Sequence, residues 1–234
     1  MSIAENITQI RERIRLAAQR AGRDPDAVTL MAVSKTFPPE AIRGAYDAGI
    51  RVFGENRVQE FAGKIENLRG LTDARWHMIG HLQTNKAAKA AELFHAIDSV
   101  DTLKLAEKLN DAARKYGKKR TVLIEVNVGG EGAKSGLPPD SAELENLLSS
   151  AAGLDCLQIC GLMTIPPYTE DPQAARPYFR RLRELQDQIV ARNLPSISMT
   201  TLSMGMSHDF EVAIEEGSTC VRVGTAIFGE RQKN

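Results

Sequence analysis

A strand-like apolar run followed by a helix-like segment recurs along this chain eight times, and that alternation constrains its fold more than any other feature. The runs lie at 28–34 (VTLMAVS), 51–54 (RVFG), 75–80 (RWHMIG), 94–100 (FHAIDSV), 121–128 (TVLIEVNV), 157–165 (LQICGLMTI), 197–203 (ISMTTLS) and 219–224 (TCVRVG). Between them come PPEAIRGAYDAG, ENRVQEFAGKIENLRG, LQTNKAAKAAEL, DSAELENLLSSAAG, DPQAARPYFRRLRELQDQIVARN and HDFEVAIEEG, which carry apolar residues at helical spacing and in several cases close on Gly. Short strands joined by helices of this length require right-handed crossovers and a parallel sheet covered by helices. Eight such units in 234 residues predict an α/β fold, a single (β/α)8 TIM-type barrel domain over 1–234, with MSIAENITQIRERIRLAAQR as an extra N-terminal helix. A doubly wound open sheet has the same beat, but its Gly-x-Gly-x-x-Gly turn is missing after the first run, where the chain reads AVSKTFPPE.

The 30 Lys and Arg residues balance 30 Asp and Glu and are scattered from end to end, so no face is set up for nucleic acid or a membrane surface. The N-terminal helix lacks the apolar stretch of a signal peptide, and no later run is long enough to span a bilayer. These features predict a soluble, cytoplasmic protein, expected to be a monomer. Cys156, Cys160 and Cys220 are odd in number and sit in apolar runs, which suits reduced core thiols better than disulfides or zinc ligands.

In a barrel the working residues follow the strands. The first run ends in Ser34-Lys35-Thr36, and by alternation Lys35 shares the interior face with Met31 and Val33. Burying an ammonium there lowers its pKa and frees the amine as a nucleophile toward a carbonyl, although a lysine snorkelling from a strand end has the same pattern. The seventh run leads into Ser203-Met204-Gly205-Met206-Ser207 and the eighth into Arg222-Val223-Gly224-Thr225. Loops after strands seven and eight are where barrels often hold phosphate, and Gly with hydroxyls suits that role; a pair of tight turns is the plainer reading. Arg222 projects inward if Val221 and Val223 face the helices. Aimed at a pyridine nitrogen it would donate a hydrogen bond and keep that nitrogen unprotonated; otherwise it forms an internal ion pair. Asn56 and His81, at the ends of the second and third runs, are placed to flank a bound ring or to satisfy their own turns, and the His77/His81 spacing fits a metal pair poorly because it spans a strand and a turn. Gly130 to Ser135 fails as a phosphate loop, since the position before Lys134 is not Gly.

Several longer motifs occur in order: AVSKT around Lys35, FGEN and VQE within 53–60, WHMIGHLQTNK at 76–86, KSG at 134–136, GLMTIP at 161–166, LSMGMSHDFEVAIEEGST at 202–219 and VRVGTAIFG at 221–229. Through them the chain resembles the pyridoxal phosphate homeostasis proteins over nearly its whole length. The resemblance implies a barrel like that of alanine racemase, with pyridoxal 5′-phosphate as cofactor held as a Schiff base on Lys35. It also implies phosphate contacts at Ser203, Met204, Ser207, Gly224 and Thr225, and Arg222 at the pyridine nitrogen. Such proteins are regarded as buffering the cofactor or delivering it to pyridoxal-phosphate-dependent apoenzymes, without an established catalytic activity. Barrel racemases carry a further C-terminal β-domain that supplies a catalytic tyrosine; this chain ends soon after Gly229-Glu230-Arg231, and of its tyrosines only Tyr168 follows a strand at all closely. The competing expectations are a pyridoxal-phosphate-dependent racemase or decarboxylase and a cofactor-free Schiff-base aldolase acting on a sugar phosphate.

Overall fold

The computed structural model describes residues 1–132 and 135–230. Lys134 of the KSG motif and Arg231 lie outside the described residues. Eight strands, β1 (Thr29–Val33), β2 (Val52–Glu55), β3 (Arg75–Met78), β4 (Ala96–Val100), β5 (Arg120–Glu125), β6 (Leu157–Met163), β7 (Ile197–Met206) and β8 (Cys220–Val223), pair in parallel and in chain order. Pairing of β1 with β8, through Thr29–Cys220 to Ala32–Val223, closes the barrel.

Alternation along each strand separates two apolar environments. Met31, Val33, Ile79 and Cys220 pack together inside the barrel, whereas Ala32, Phe53, Trp76, Val221 and Val223 belong to the larger core between strands and helices. Arg222 is therefore on the interior face, as the parity of its neighbours predicts. In the outer core Trp76 lies 4.9 Å from Phe53 and 5.0 Å from Phe61, and Phe61 lies 4.8 Å from Phe94, an aromatic row that ties the second, third and fourth units together.

The first helix, α1 (Ile3–Arg20), starts with a capping box in which Ser2 accepts from the Glu5 amide and Glu5 accepts from the Ser2 amide. It buries Ile7, Ile10, Ile14, Ala17 and Ala18. Charges fix its orientation: both guanidinium arms of Arg13 reach Glu211 at 3.1 Å in α8 (Phe210–Glu215), and Arg20 pairs with Glu215. Asn6 donates to the Ile227 carbonyl at 2.9 Å in the short α9 (Thr225–Phe228). This extra helix thus braces the last unit, which carries one wall of the site. No helix of the described residues is long and apolar enough to cross a membrane.

The structure departs from the sequence-based reading in two places. β7 runs on to Met206, so Ser203 is not the last residue of the strand and Met204 lies inside it and not in the turn after it. The cysteines are free, but only Cys220 is buried; Cys156 and Cys160 are half-buried because Cys156 precedes β6 and Cys160 sits where its pairing with β7 shifts register.

Candidate functional site

The carboxyl ends of the strands surround a cavity of about 540 Å³, lined by Lys35, Asn56, His81, Ser207, Arg222, Gly224 and Thr225 among others. That volume lies in the range of small-ligand sites. Seven of the nine candidate residues from the sequence thereby converge; Ser203 and Met204 are not among its lining residues.

Lys35 lies two residues beyond the end of β1, after Ser34, and is half-buried. Its turn is closed by the Phe37 amide donating to the Ser34 carbonyl at 3.2 Å, and Thr36 adopts φ +67°, an unfavourable conformation for a β-branched residue. A cluster behind the turn holds it there. Ser34 Oγ donates to Glu55 Oε1 at 2.7 Å, and Lys64 Nζ, on α3 (Val58–Lys64), donates to both Glu55 oxygens, to Glu60 Oε1 at 2.8 Å and to the Ser34 carbonyl at 3.2 Å. Glu60 in turn accepts the Thr36 amide at 2.6 Å. Burial pushes the Glu55 carboxyl up, opposed by Lys64 and Ser34. For Glu60 burial also acts upward, but Lys64 and the Thr36 amide outweigh it and hold the carboxyl below its ordinary value. Sequence inspection did not pick out Glu55, Glu60 and Lys64 as a unit, although Glu60 and Lys64 stand at the i,i+4 spacing that pairs on a helix.

On the neighbouring strand β8, Arg222 is 3% exposed. Its Nη1 donates to the Ser203 carbonyl at 2.6 Å and to Ser203 Oγ at 2.8 Å, and its Nη2 donates to the Thr164 carbonyl at 2.7 Å. Burial presses its pKa down, while Cys220, Asp98, Glu125 and Asp209 support the charge; a guanidinium keeps its proton regardless. Ser203 is therefore committed to positioning Arg222. Met204, alternating with it, is fully buried on the helix side.

Beyond them Gly205 adopts φ +91°, and a Cβ there would come within 2.5 Å of Ala213 Cβ and 2.9 Å of Phe210 Cα. Only glycine lets β7 turn this closely into α8, and the turn brings Ser207 to the cavity. Ser207 Oγ accepts the Gly224 amide at 3.3 Å, linking the β7 and β8 turns into one polar wall with Thr225.

His81 and Asn56 line the cavity on the other side. His81 Nδ1 is 3.1 Å from Asp101 Oδ2, whereas His77 Nδ1 lies 3.1 Å from both oxygens of Asp98 inside the barrel, so the two histidines have separate carboxylate partners. No group of three or more His, Cys, Asp or Glu suited to a metal ion occurs among the described residues. Tyr168 is 78% exposed and packs against His208 at 5.6 Å, outside the cavity lining. The residue that sequence reasoning passed over is Glu125. It ends β5, lines the cavity and is 6% exposed, and its Oε2 is buried without a hydrogen-bond partner among the described residues.

A family model described as alanine racemase, N-terminal domain, matches residues 6–232. Pyridoxal phosphate homeostasis protein of Aquifex aeolicus is 48% identical over 232 residues, covering 99% of this chain and 100% of the relative. The protein of the same name from Escherichia coli K12 is 44% identical, covering 98% and 97%. This chain belongs to the family of pyridoxal phosphate homeostasis proteins. Among solved structures, PipY of Synechococcus elongatus with PLP bound superposes with a TM-score of 0.85 at 39% identity, covering 97% of this chain and 100% of that one. An alanine racemase of Clostridium difficile shares the fold, with a TM-score of 0.74 at 14% identity; the match covers all of this chain and 58% of the racemase. The eight-stranded barrel expected from strand–helix alternation is thus the barrel of this family.

Proposed function

We propose that this chain binds pyridoxal 5′-phosphate in the cavity at the mouth of the barrel, held covalently on Lys35, and that it buffers or delivers the cofactor without turning over a substrate. The observation that carries the reading is one cavity lined at once by Lys35, by Arg222, and by the Ser207, Gly224 and Thr225 wall. The donor set fits the group: an amine for its aldehyde, a fixed guanidinium for its ring nitrogen, and hydroxyl and backbone N–H groups for its phosphate. Bound there, the cofactor would supply an aldehyde able to condense reversibly with an amine.

Lys35 Nζ would hold the aldehyde carbon as a Schiff base, with the buried cluster of Glu55, Lys64 and Glu60 keeping its turn in place. Ser207, Gly224 and Thr225 would hold the phosphate, with Asn56 and His81 flanking the ring and Ser203 and Met204 acting from behind the wall. Arg222, fixed by its three hydrogen bonds, would donate to the ring nitrogen and leave it unprotonated. A ring in that state is a poor electron sink, which argues against fast racemisation or decarboxylation. Tyr168 is 78% exposed and is not itself a cavity-lining residue, so it does not supply the second acid or base that proton exchange on an amino acid needs at the reacting carbon. The protein would act as a cytoplasmic monomer that passes cofactor to pyridoxal-phosphate-dependent apoenzymes.

Reduction of the cofactor-loaded protein with borohydride, followed by peptide mapping, tests the assignment. The label is expected on the peptide carrying Lys35 and is expected to be absent from folded Lys35→Ala. A folded Lys35→Ala protein retaining the same covalent adduct in the cavity would overturn the tether. Turnover of an amino acid at an ordinary enzymatic rate, abolished by Lys35→Ala, would overturn the non-catalytic role.

A further inference from the structure

Glu125 is costly where it stands. A buried carboxylate oxygen with no hydrogen-bond partner forfeits its hydration and receives nothing back from the protein. Its position is nevertheless built. The segment after β5 folds back on the strand, with the Leu137 amide donating to the Glu125 carbonyl at 2.8 Å and the Asn127 amide donating to the Leu137 carbonyl at 2.9 Å. Gly136, at φ +105°, lies so close that a Cβ would stand 3.3 Å from Glu125 Cγ and 2.8 Å from the Asn127 nitrogen. The Gly136 backbone thus packs closely against the Glu125 side chain, which is 6% exposed.

The groups facing it come from several elements. Asp101, following β4, raises its proton affinity further and Arg222 on β8 lowers it, while Lys35, His81 and His208 line the same cavity. Arg222 makes its hydrogen bonds elsewhere, to Ser203 and Thr164, so the unpartnered oxygen points to a ligand as its partner.

Resting on the reading that pyridoxal phosphate is held by Lys35, Arg222 and the Ser207 wall, the substituents around its ring decide which atom is left over. With the aldehyde carbon at Lys35, the ring nitrogen at Arg222 and the phosphate at the ends of β7 and β8, the hydroxyl at ring position 3 would lie on the side of the ring away from the phosphate arm. Glu125, at the end of β5, lines the same cavity without belonging to the phosphate wall. We infer that Glu125 is the specificity-determining contact for that ring hydroxyl, sharing a proton with it across a hydrogen bond inside the cavity. The transfer is a single proton moving between a carboxyl oxygen and a phenolic oxygen, with no other reactant. In its protonated form Glu125 donates to the phenolate oxygen; once both oxygens are ionised the contact becomes a repulsion.

Two ligands and two variants test this. Affinity is measured for pyridoxal 5′-phosphate and for its analogue lacking the ring 3-hydroxyl, on the wild type, Glu125→Ala and Glu125→Gln. Glu125→Ala is expected to weaken the cofactor about 10-fold or more relative to wild type and the deoxy analogue by less than about threefold. Glu125→Gln, which keeps a donor, is expected to stay within about threefold for both. The visible absorption of bound cofactor is expected to shift with pH in the wild type and to lose that shift in Glu125→Gln. If Glu125→Ala weakens both ligands equally, or neither, while the wild type binds cofactor at Lys35, the inference is overturned and the reading beneath it stands. A wild-type protein that forms no adduct at Lys35 overturns both.

Discussion

Lys64 Nζ lies 3.0 Å from Glu55 Oε1 and 3.1 Å from Oε2, in a cluster where the Glu55 side chain is wholly buried and that of Lys64 is 11% exposed. The pair stands directly behind the turn that carries Lys35. Removing one partner leaves the other charge buried alone, so Lys64→Met is expected to destabilise the fold by about 3–5 kcal/mol in urea denaturation. The double variant Lys64→Met/Glu55→Gln is expected to recover at least about 1 kcal/mol of that loss, because both members of the buried pair are then uncharged and only the partly exposed Glu60 keeps its charge. Losses that simply add would show that the two side chains are not energetically linked.

Arg222 offers a second test of the interior. Arg222→Gln withdraws donors from the Ser203 and Thr164 carbonyls; the first keeps the Thr164 amide at 3.2 Å, while the second is left unpaired, and a buried unpaired acceptor costs about 1–3 kcal/mol. A loss of about 1–3 kcal/mol in chemical denaturation of the cofactor-free protein is expected. A change below about 0.5 kcal/mol would mean that these bonds contribute little to the fold.

Gly205→Ala should act through geometry alone. The new methyl meets Ala213 Cβ at 2.5 Å and Phe210 Cα at 2.9 Å, from a residue at φ +91°. Overpacking and left-handed strain together are expected to cost about 2–4 kcal/mol, seen as a Tm lowered by several degrees. Because the same turn delivers Ser207 to the cavity, the variant is also expected to bind pyridoxal 5′-phosphate more weakly at a temperature where it remains folded.

Glu125 carries a pH signature of its own. Burial, reinforced by Asp101 and opposed by Arg222, pushes its carboxyl up to about 7. In the unfolded chain the group titrates near the ordinary carboxylate value of about 4.3. Between these values the folded state binds more protons than the unfolded state, so stability falls as pH rises through this window, by up to about 4 kcal/mol in all. Glu125→Gln removes the titration. Its cofactor-free form is expected to match the wild type near pH 4 and to gain on it steadily toward pH 8 in pH-dependent urea unfolding. Parallel pH profiles for the two proteins would refute the assignment.

The barrel was legible in the chain because apolar periodicity is a local property. Alternation over VTLMAVS and TCVRVG assigns Met31, Val33, Cys220 and Arg222 to one face and Ala32, Val221 and Val223 to the other, and the structure places them so. The strand-end positions of Lys35, Ser207, Gly224 and Thr225 followed from the same pattern, and all four line the cavity.

What sequence alone could not decide depends on approaches between distant segments. Ser203 read as the end of its run and Met204 as the start of a turn, yet pairing with β6 and β8 extends β7 to Met206 and turns Ser203 into a support for Arg222. Glu55, Glu60 and Lys64 are ordinary charged residues until α3 brings Lys64 against Ser34 and Glu55. Glu125 lay unremarked inside the fifth run, and only closure of the barrel, with Leu137 paired beside Val126, strips away its water. Local pattern determined which residues face the barrel mouth; packing between units decided which of them lost solvent, and with it their proton affinity and their partners.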